Sequence, residues 1–408
     1  MMSLGSPLIH LRESDESPVA FSGLCWPEKP DSEIDELAVK SILARRDRMA
    51  EAFAGIRFHQ GLDNFIRGLC SLPAMDALRL FDNAWSAAVF RWPPRHVIDD
   101  APFEPDFTDR IRWALACAAE QPGASAAIVV PPPLDQKLAY LYFPNRHVLL
   151  NVGEGPVAIA REERLIRLTN ADGRCFTLPQ GSGSIPAGKY AASALWALEH
   201  AAGWPLLNGI PLFMKFSPGP PVPPEEARKT RVVITEALEL LQAVWPAAKA
   251  FAERWVRGVL VLPYSGCSRS HTSVHAPQVL MCSTESASKV AEALCHELSH
   301  ARMFLVLERD PILKNDFNRT HHSAWRRDAR PLLGLLNGVH AFLNVCRYYQ
   351  RLQKKDPARW GKECDFVLKT QIPKISVTWS YIQQHAVWTG TGERVASDLD
   401  AAVREICR

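Results

Sequence analysis

Residues 286–308, SASKVAEALCHELSHARMFLVLE, decide how the rest of this chain is read. The stretch reads as one long helix, and two short apolar runs before it, GVLVLPY (258–264) and PQVLMC (277–282), read as buried strands. Inside the helix stands His296-Glu297-Leu298-Ser299-His300, an HExxH pattern. Residues four apart share a helix face, so His296 and His300 can offer two imidazole nitrogens to one metal ion, with Glu297 one step round. In a random chain of this length and histidine content the pattern would arise roughly 2% of the time. A pair of hydrogen-bonded core histidines is the plain alternative; the helix-after-strands setting favours metal binding.

DSEIDELAVKSILARRDRMAEAF (31–53) has an N-cap residue, early acids and helical spacing, which predicts a long helix. Residues 1–30, rich in Ser, Pro and Glu, read as an extended arm. Further helices are expected around 73–90 and 106–120. Between about 126 and 180 the runs AAIVV, LAYLYF, HVLLNV, VAIA and LIRLT predict a small antiparallel sheet. After the Pro-rich bend at 217–224, residues 225–257 show helical period, and helices are expected at about 331–354, 376–386 and 394–406. The expected fold class is α+β, predominantly helical with a small antiparallel sheet and the HExxH helix at the core. The chain divides into three regions: an arm (1–30), a helical and β region (31–220) expected to recognise a peptide, and a metal-site region (221–408).

Composition narrows the partners. The chain has 408 residues, 47% of them hydrophobic, and a net charge of only +3, which speaks against a broad polyanion-binding surface. Its twelve tryptophans are scattered and form no stacking ladder, so nucleic acid is not expected. The most apolar stretch, ALWALEHAAGWPLL (194–207), is broken by Glu199 and His200, and no membrane span is expected. The opening residues lack a secretory pattern, and ten dispersed cysteines without a CxxC pair read as reduced thiols of a cytoplasmic protein. Seven of the thirteen histidines fall between His271 and His340, which marks that interval for chemistry.

The third metal ligand separates the possible chemistries. A metzincin extension would put Gly and His where Met303 and Val306 stand, and a gluzincin site would use a glutamate from an interval, 309–362, that holds none. The downstream segment is instead HHSAWRRDARPLLGLLNGVHAFLNV (321–345), an Arg-rich loop running into an apolar helix. Residues 301–330 carry seven basic and four acidic side chains, a local +3.

The HExxH helix, the loop Trp325-Arg326-Arg327-Asp328-Ala329-Arg330-Pro331-Leu332 and the helix start Gly334-Leu335-Leu336-Asn337-Gly338 together resemble the bacterial HExxH-type peptide modification proteins. These are described as iron- and 2-oxoglutarate-dependent peptide β-hydroxylases, and the resemblance covers about 85 residues well. It implies an Fe(II), 2-oxoglutarate dioxygenase acting on a ribosomally made precursor peptide, with His296, His300 and a third residue as ligands. His340 is the first choice for that third place, and Asn337, His321 and His322 are the alternatives. Arg326 and Arg330 match the loop and suit the distal carboxylate of 2-oxoglutarate, because the guanidinium fork binds carboxylates in bidentate fashion. Asp328 would orient one of them, and Trp325 would wall the pocket. Glu297 is the catalytic candidate: a general base in a zinc peptidase or amidase, or a group bonding around the metal in an oxygenase. His271 and His275 read as ordinary loop residues, with facing the site or contacting the peptide as the alternative. A non-catalytic peptide-binding module is a third possibility.

Overall fold

The computed structural model describes residues 32–53, 67, 71, the strand residues between 128 and 205 given below with 172–174, and then 224–256, 258–261, 270–272, 278–283 and 285–408. The arm at 1–30, the helices expected near 73–90 and 106–120, and His275 lie outside the described residues.

The chain is a predominantly helical α+β protein. Helix α1 spans Ser32–Phe53, as its sequence pattern predicts. Short strands come next: β1 Ile128–Val130, β2 Tyr140–Phe143, β3 Val148–Asn151, β4 Val157–Glu162, β5 Leu165–Thr169, β6 Cys175–Pro179, β7 Leu195–Ala197, β8 His200–Ala201 and β9 Trp204–Pro205. Each of the five β-type runs in the sequence contributes a strand, yet they split into separate antiparallel sheets, β1-β4-β5-β6 and β2-β3-β7, with β8-β9 as a small pair. Strand β6 is not among the expected runs; its sequence, CFTLP, ends in proline, which demotes a run as a strand candidate. Gly173, with φ of 74°, lies between β5 and β6, where a positive φ favours glycine.

The helical block at 225–257 becomes two helices, α2 Pro224–Val244 and α3 Pro246–Trp255. Pro246 lacks an N–H to continue α2 and is suited to the first turn of α3, while Trp245 at the break is fully buried. The three-stranded sheet β10 Gly258–Val261, β12 Val279–Cys282 and β11 Ser270–His271 comes next, with β10 and β12 parallel and β11 antiparallel to β12. From β12 the chain enters α4, Ala287–Arg309, capped by the Ser286 side chain accepting from the Lys289 amide. Then come β13 Thr320–His321, β14 Arg330–Pro331, α5 Leu332–Lys355, α6 Pro357–His385 and α7 Gly390–Ile406.

Helix α6 is much longer than the segment expected at 376–386. Pro373 lies on an exposed face inside the helix. Burial of Val367, Ile375, Trp379 and Ile382 on the other side offsets the lost backbone bond, each such side chain contributing about 1.5–3 kcal/mol.

Helix α4 is the centre of the core. Sixteen of its 23 residues are buried, and α1, α2, α3 and α5 all pack on it together with β11 and β12. Ser41 of α1 donates to Glu308 at 2.7 Å, and the buried Arg45 donates to Gln278, also at 2.7 Å. Helix α5 runs antiparallel to α4: Lys289 meets Tyr349 near one end and Ser299 meets Asn344 further along. Among the described residues no helix is long and apolar enough to cross a membrane.

Candidate metal centre

His296 and His300 sit one turn apart on α4, and their Nε2 atoms approach to 3.2 Å with the rings nearly perpendicular. A single ion about 2.1 Å from each nitrogen would subtend an angle of about 100°, between octahedral and tetrahedral values, so the pair fits one metal ion. Both rings are held neutral, which is the ligating form. Burial, then His340, lowers His296 to about 4. Burial, then His296, holds His300 well below the usual imidazole range; Asn337 opposes the shift and His271 adds to it.

His340 is fully buried on α5 and close enough to His296 to disfavour its protonation. Asn337, three residues earlier on α5, lies against His300. Residues three apart share a helix face, so α5 presents Asn337 and His340 to the two α4 histidines. Among the described residues, no three His, Cys, Asp or Glu side chains close into a complete metal-holding cluster; the pair is formed, and His340 is near enough for its charge to act on His296.

Glu297 is 3% exposed, and its Oε1 lies 4.0 Å from His296 Nε2. Ser270 donates to that oxygen at 2.6 Å, and Thr272 bonds the carboxyl through side chain and backbone. Burial raises the group to about 7 in spite of these bonds. Strand β11 therefore tethers Glu297 to the sheet, because β11 lies beside β12 and both pack on α4. Ser270 and Thr272 were not singled out in the sequence; an alternation of hydroxyl residues, Ser270 and Thr272, flanking His271 was the signal available.

Behind the pair, Phe342 meets His296 edge to face at 4.8 Å, and Trp325 stacks on Phe342 at 4.9 Å with planes 6° apart. Trp325 is thus one layer back from the histidines, anchored by its Nε1 donating to Gln371 of α6 at 2.9 Å. Gly338 makes room for it: a Cβ there would lie 3.3 Å from the Trp325 ring. Gly338→Ala is expected to shift the Trp325–Phe342 stack and cost about 1 kcal/mol of stability, read as a lower denaturation midpoint with a changed tryptophan emission. Asn344 donates to Ser299 at 2.9 Å and to the His340 carbonyl at 3.1 Å, while Ser299 donates to the Cys295 carbonyl at 2.6 Å, so α4 and α5 are tied together directly. Cys295 is buried, and burial pushes its thiol up, in keeping with its reading as a small core residue.

The loop arginines gather around Asp328. Arg326 Nε lies 3.1 Å from one carboxylate oxygen and Arg330 Nη2 lies 2.7 Å from the other. Arg330 is the sheltered one, 18% exposed against 60% for Arg326. Asp328 is held below the usual carboxylate range, first by the Arg326 hydrogen bond. Of the alternative ligands, His321 is engaged elsewhere, its Nδ1 lying 2.8 Å from the Tyr381 hydroxyl, and His322 is exposed.

No family model and no curated protein sequence matches this chain. Fold and site together define a predominantly helical α+β protein whose buried HExxH helix holds two neutral, converging imidazoles.

Proposed function

We propose that the chain is an Fe(II), 2-oxoglutarate-dependent dioxygenase that hydroxylates the β-carbon of a residue in a ribosomally made precursor peptide, a step of natural-product maturation. Convergence of the His296 and His300 Nε2 atoms, with His340 beside them and a paired-arginine loop reaching the same shell through Trp325 and Phe342, carries this reading. His296, His300 and His340 would hold the iron. The bound metal and co-substrate supply the oxidising chemistry: one oxygen atom of dioxygen enters the peptide C–H bond, the other enters succinate, and carbon dioxide leaves.

The remaining work belongs to the chain. Arg330, sheltered and oriented by Asp328, offers the fork for the distal carboxylate, and Arg326 adds charge at the rim. Phe342 and Trp325 keep water from one side of His296 and fix its ring plane. Glu297 spends its hydrogen-bonding capacity on Ser270 and Thr272, which suits a group that braces the helix against β11.

A zinc peptidase or amidase is the second reading, favoured by Glu297 itself, since a carboxyl raised to about 7 and 4.0 Å from His296 Nε2 matches a general base. Glu297→Gln separates the two. General-base loss would cut peptide cleavage by about 100- to 10,000-fold, whereas 2-oxoglutarate consumption should fall less than about tenfold. The direct test incubates the full chain with iron(II), 2-oxoglutarate and synthetic precursor peptides, including any encoded by a short reading frame found next to its gene. A product heavier by one oxygen atom is expected, and shortened peptides formed with zinc alone would overturn the proposal.

A further inference from the structure

Two of the buried polar atoms between α4 and α5 face a shared problem. His300 Nδ1 and Asn337 Oδ1 are both buried without an aligned hydrogen-bond partner, although the Asn337 side chain lies against the His300 ring. A buried carbonyl oxygen left in this state costs stability, so a leucine at 337 would suit the surrounding apolar helix better. Neighbouring Leu335, Leu336 and Val339 are buried hydrophobics.

A metal ion changes the requirement. With Nε2 of His300 directed at His296, the ring proton must reside on Nδ1, and a ligating histidine ordinarily donates that proton to an acceptor that fixes its tautomer and plane. His296 and His300 converge through Nε2, so the Nδ1 edge of His300 is the one left to be oriented. Asn337 Oδ1 is an acceptor on the facing helix with no aligned donor of its own. Asn344, seven residues on, already ties the same two helices through Ser299 and the His340 carbonyl, so the frame holding Asn337 opposite His300 is present before any ion arrives.

We infer that Asn337 is a positioning residue of the metal site: its carboxamide oxygen accepts the Nδ1 proton of His300 when a metal occupies Nε2, and it is not itself a ligand. This rests on the metal-site reading above and assigns Asn337 a different place from the ligand role the sequence left open to it. The apo protein carries the polar group at a cost, and the metal-bound protein uses it. Stability without metal and affinity for metal should therefore respond to substitution with opposite signs, which a purely structural asparagine would not do.

The test uses the full chain, first stripped of metal and then titrated anaerobically with iron(II), and separately with cobalt(II) as a spectroscopic probe. Asn337→Leu is expected to melt no lower than the parent without metal, yet to bind iron(II) about 10- to 100-fold more weakly, with a cobalt(II) absorption spectrum shifted from the parent's. Asn337→Asp keeps an acceptor oxygen in place and should bind within about threefold of the parent or tighter. Parent-like affinity in the leucine variant, or an aspartate variant as weak as the leucine one, would overturn the inference. Should the leucine variant fail to fold, the aspartate variant and the cobalt(II) spectrum decide alone. A parent protein that binds neither ion would instead overturn the metal-site reading beneath it.

Discussion

Purified His296→Ala is expected to bind iron(II) more than about 100-fold more weakly than the parent chain and to show no 2-oxoglutarate turnover above background. The reasoning is comparative: altering only a residue that orients a ligand commonly costs 10- to 100-fold, and removing the ligand costs more. Fold should survive, because His296 is 21% exposed while the neighbouring core positions Cys295, Leu298 and Ser299 carry the helix into its packing. His300→Ala should behave alike, since the 3.2 Å approach makes each imidazole useful only with the other. Metal analysis after anaerobic reconstitution, with circular dichroism as the folding check, measures the effect. Undiminished metal content in both variants would remove the pair from the site.

The largest expected loss of stability lies far along the sequence, at Gly392→Ala. A Cβ there would fall 2.0 Å from the Ile312 carbonyl oxygen and 3.0 Å from its carbon. These are backbone atoms, so relief requires moving a chain segment rather than turning a side chain. That segment is held on several sides. Thr389 donates its amide to the Ile312 carbonyl at 3.1 Å and its hydroxyl to the Pro311 carbonyl at 2.6 Å, Thr391 donates to Asp310, and Lys314 donates to the Val387 carbonyl at 2.8 Å. Together these bonds fasten the exit of α4 to the start of α7. Overpacking against such a frame is expected to cost about 3 kcal/mol, seen as a lower midpoint in urea with an unchanged slope. Loss of metal affinity should accompany it only as far as α4 itself loosens.

Much of this organisation was legible from residue patterns. Regular periodicity located α1, the α2–α3 block, the strands β10 and β12 and the whole of α4, because in each case local propensity and burial agree. Legibility failed where tertiary contacts outvote local signals. Pro373 lies within α6 because one apolar face of that helix is buried. Partition of the short strands into separate sheets depends on pairing across distance: β3 reaches past β4, β5 and β6 to join β7, and nothing in VLLN names LWA as its partner.

The site divides the same way. Four-residue spacing gives the His296–His300 pair directly, since helix geometry alone converts sequence separation into proximity. Placement of His340 and Asn337 required knowing that α5 runs antiparallel to α4. Ser270, in a two-residue strand too short to be read as one, and Thr272 just after it reach Glu297. Arg326 and Arg330 share Asp328, a pairing that the sequence suggested by adjacency and that the structure renders as one carboxylate held from two sides.

If this helix pair holds iron for 2-oxoglutarate chemistry, succinate release reports on it without knowledge of the peptide. The iron(II)-loaded full chain is expected to form succinate from 2-oxoglutarate in air, slowly alone and faster with its peptide, and to lose both rates in His296→Ala. Absence of succinate from a protein that holds stoichiometric iron, or peptide cleavage by the zinc form without 2-oxoglutarate, would contradict it.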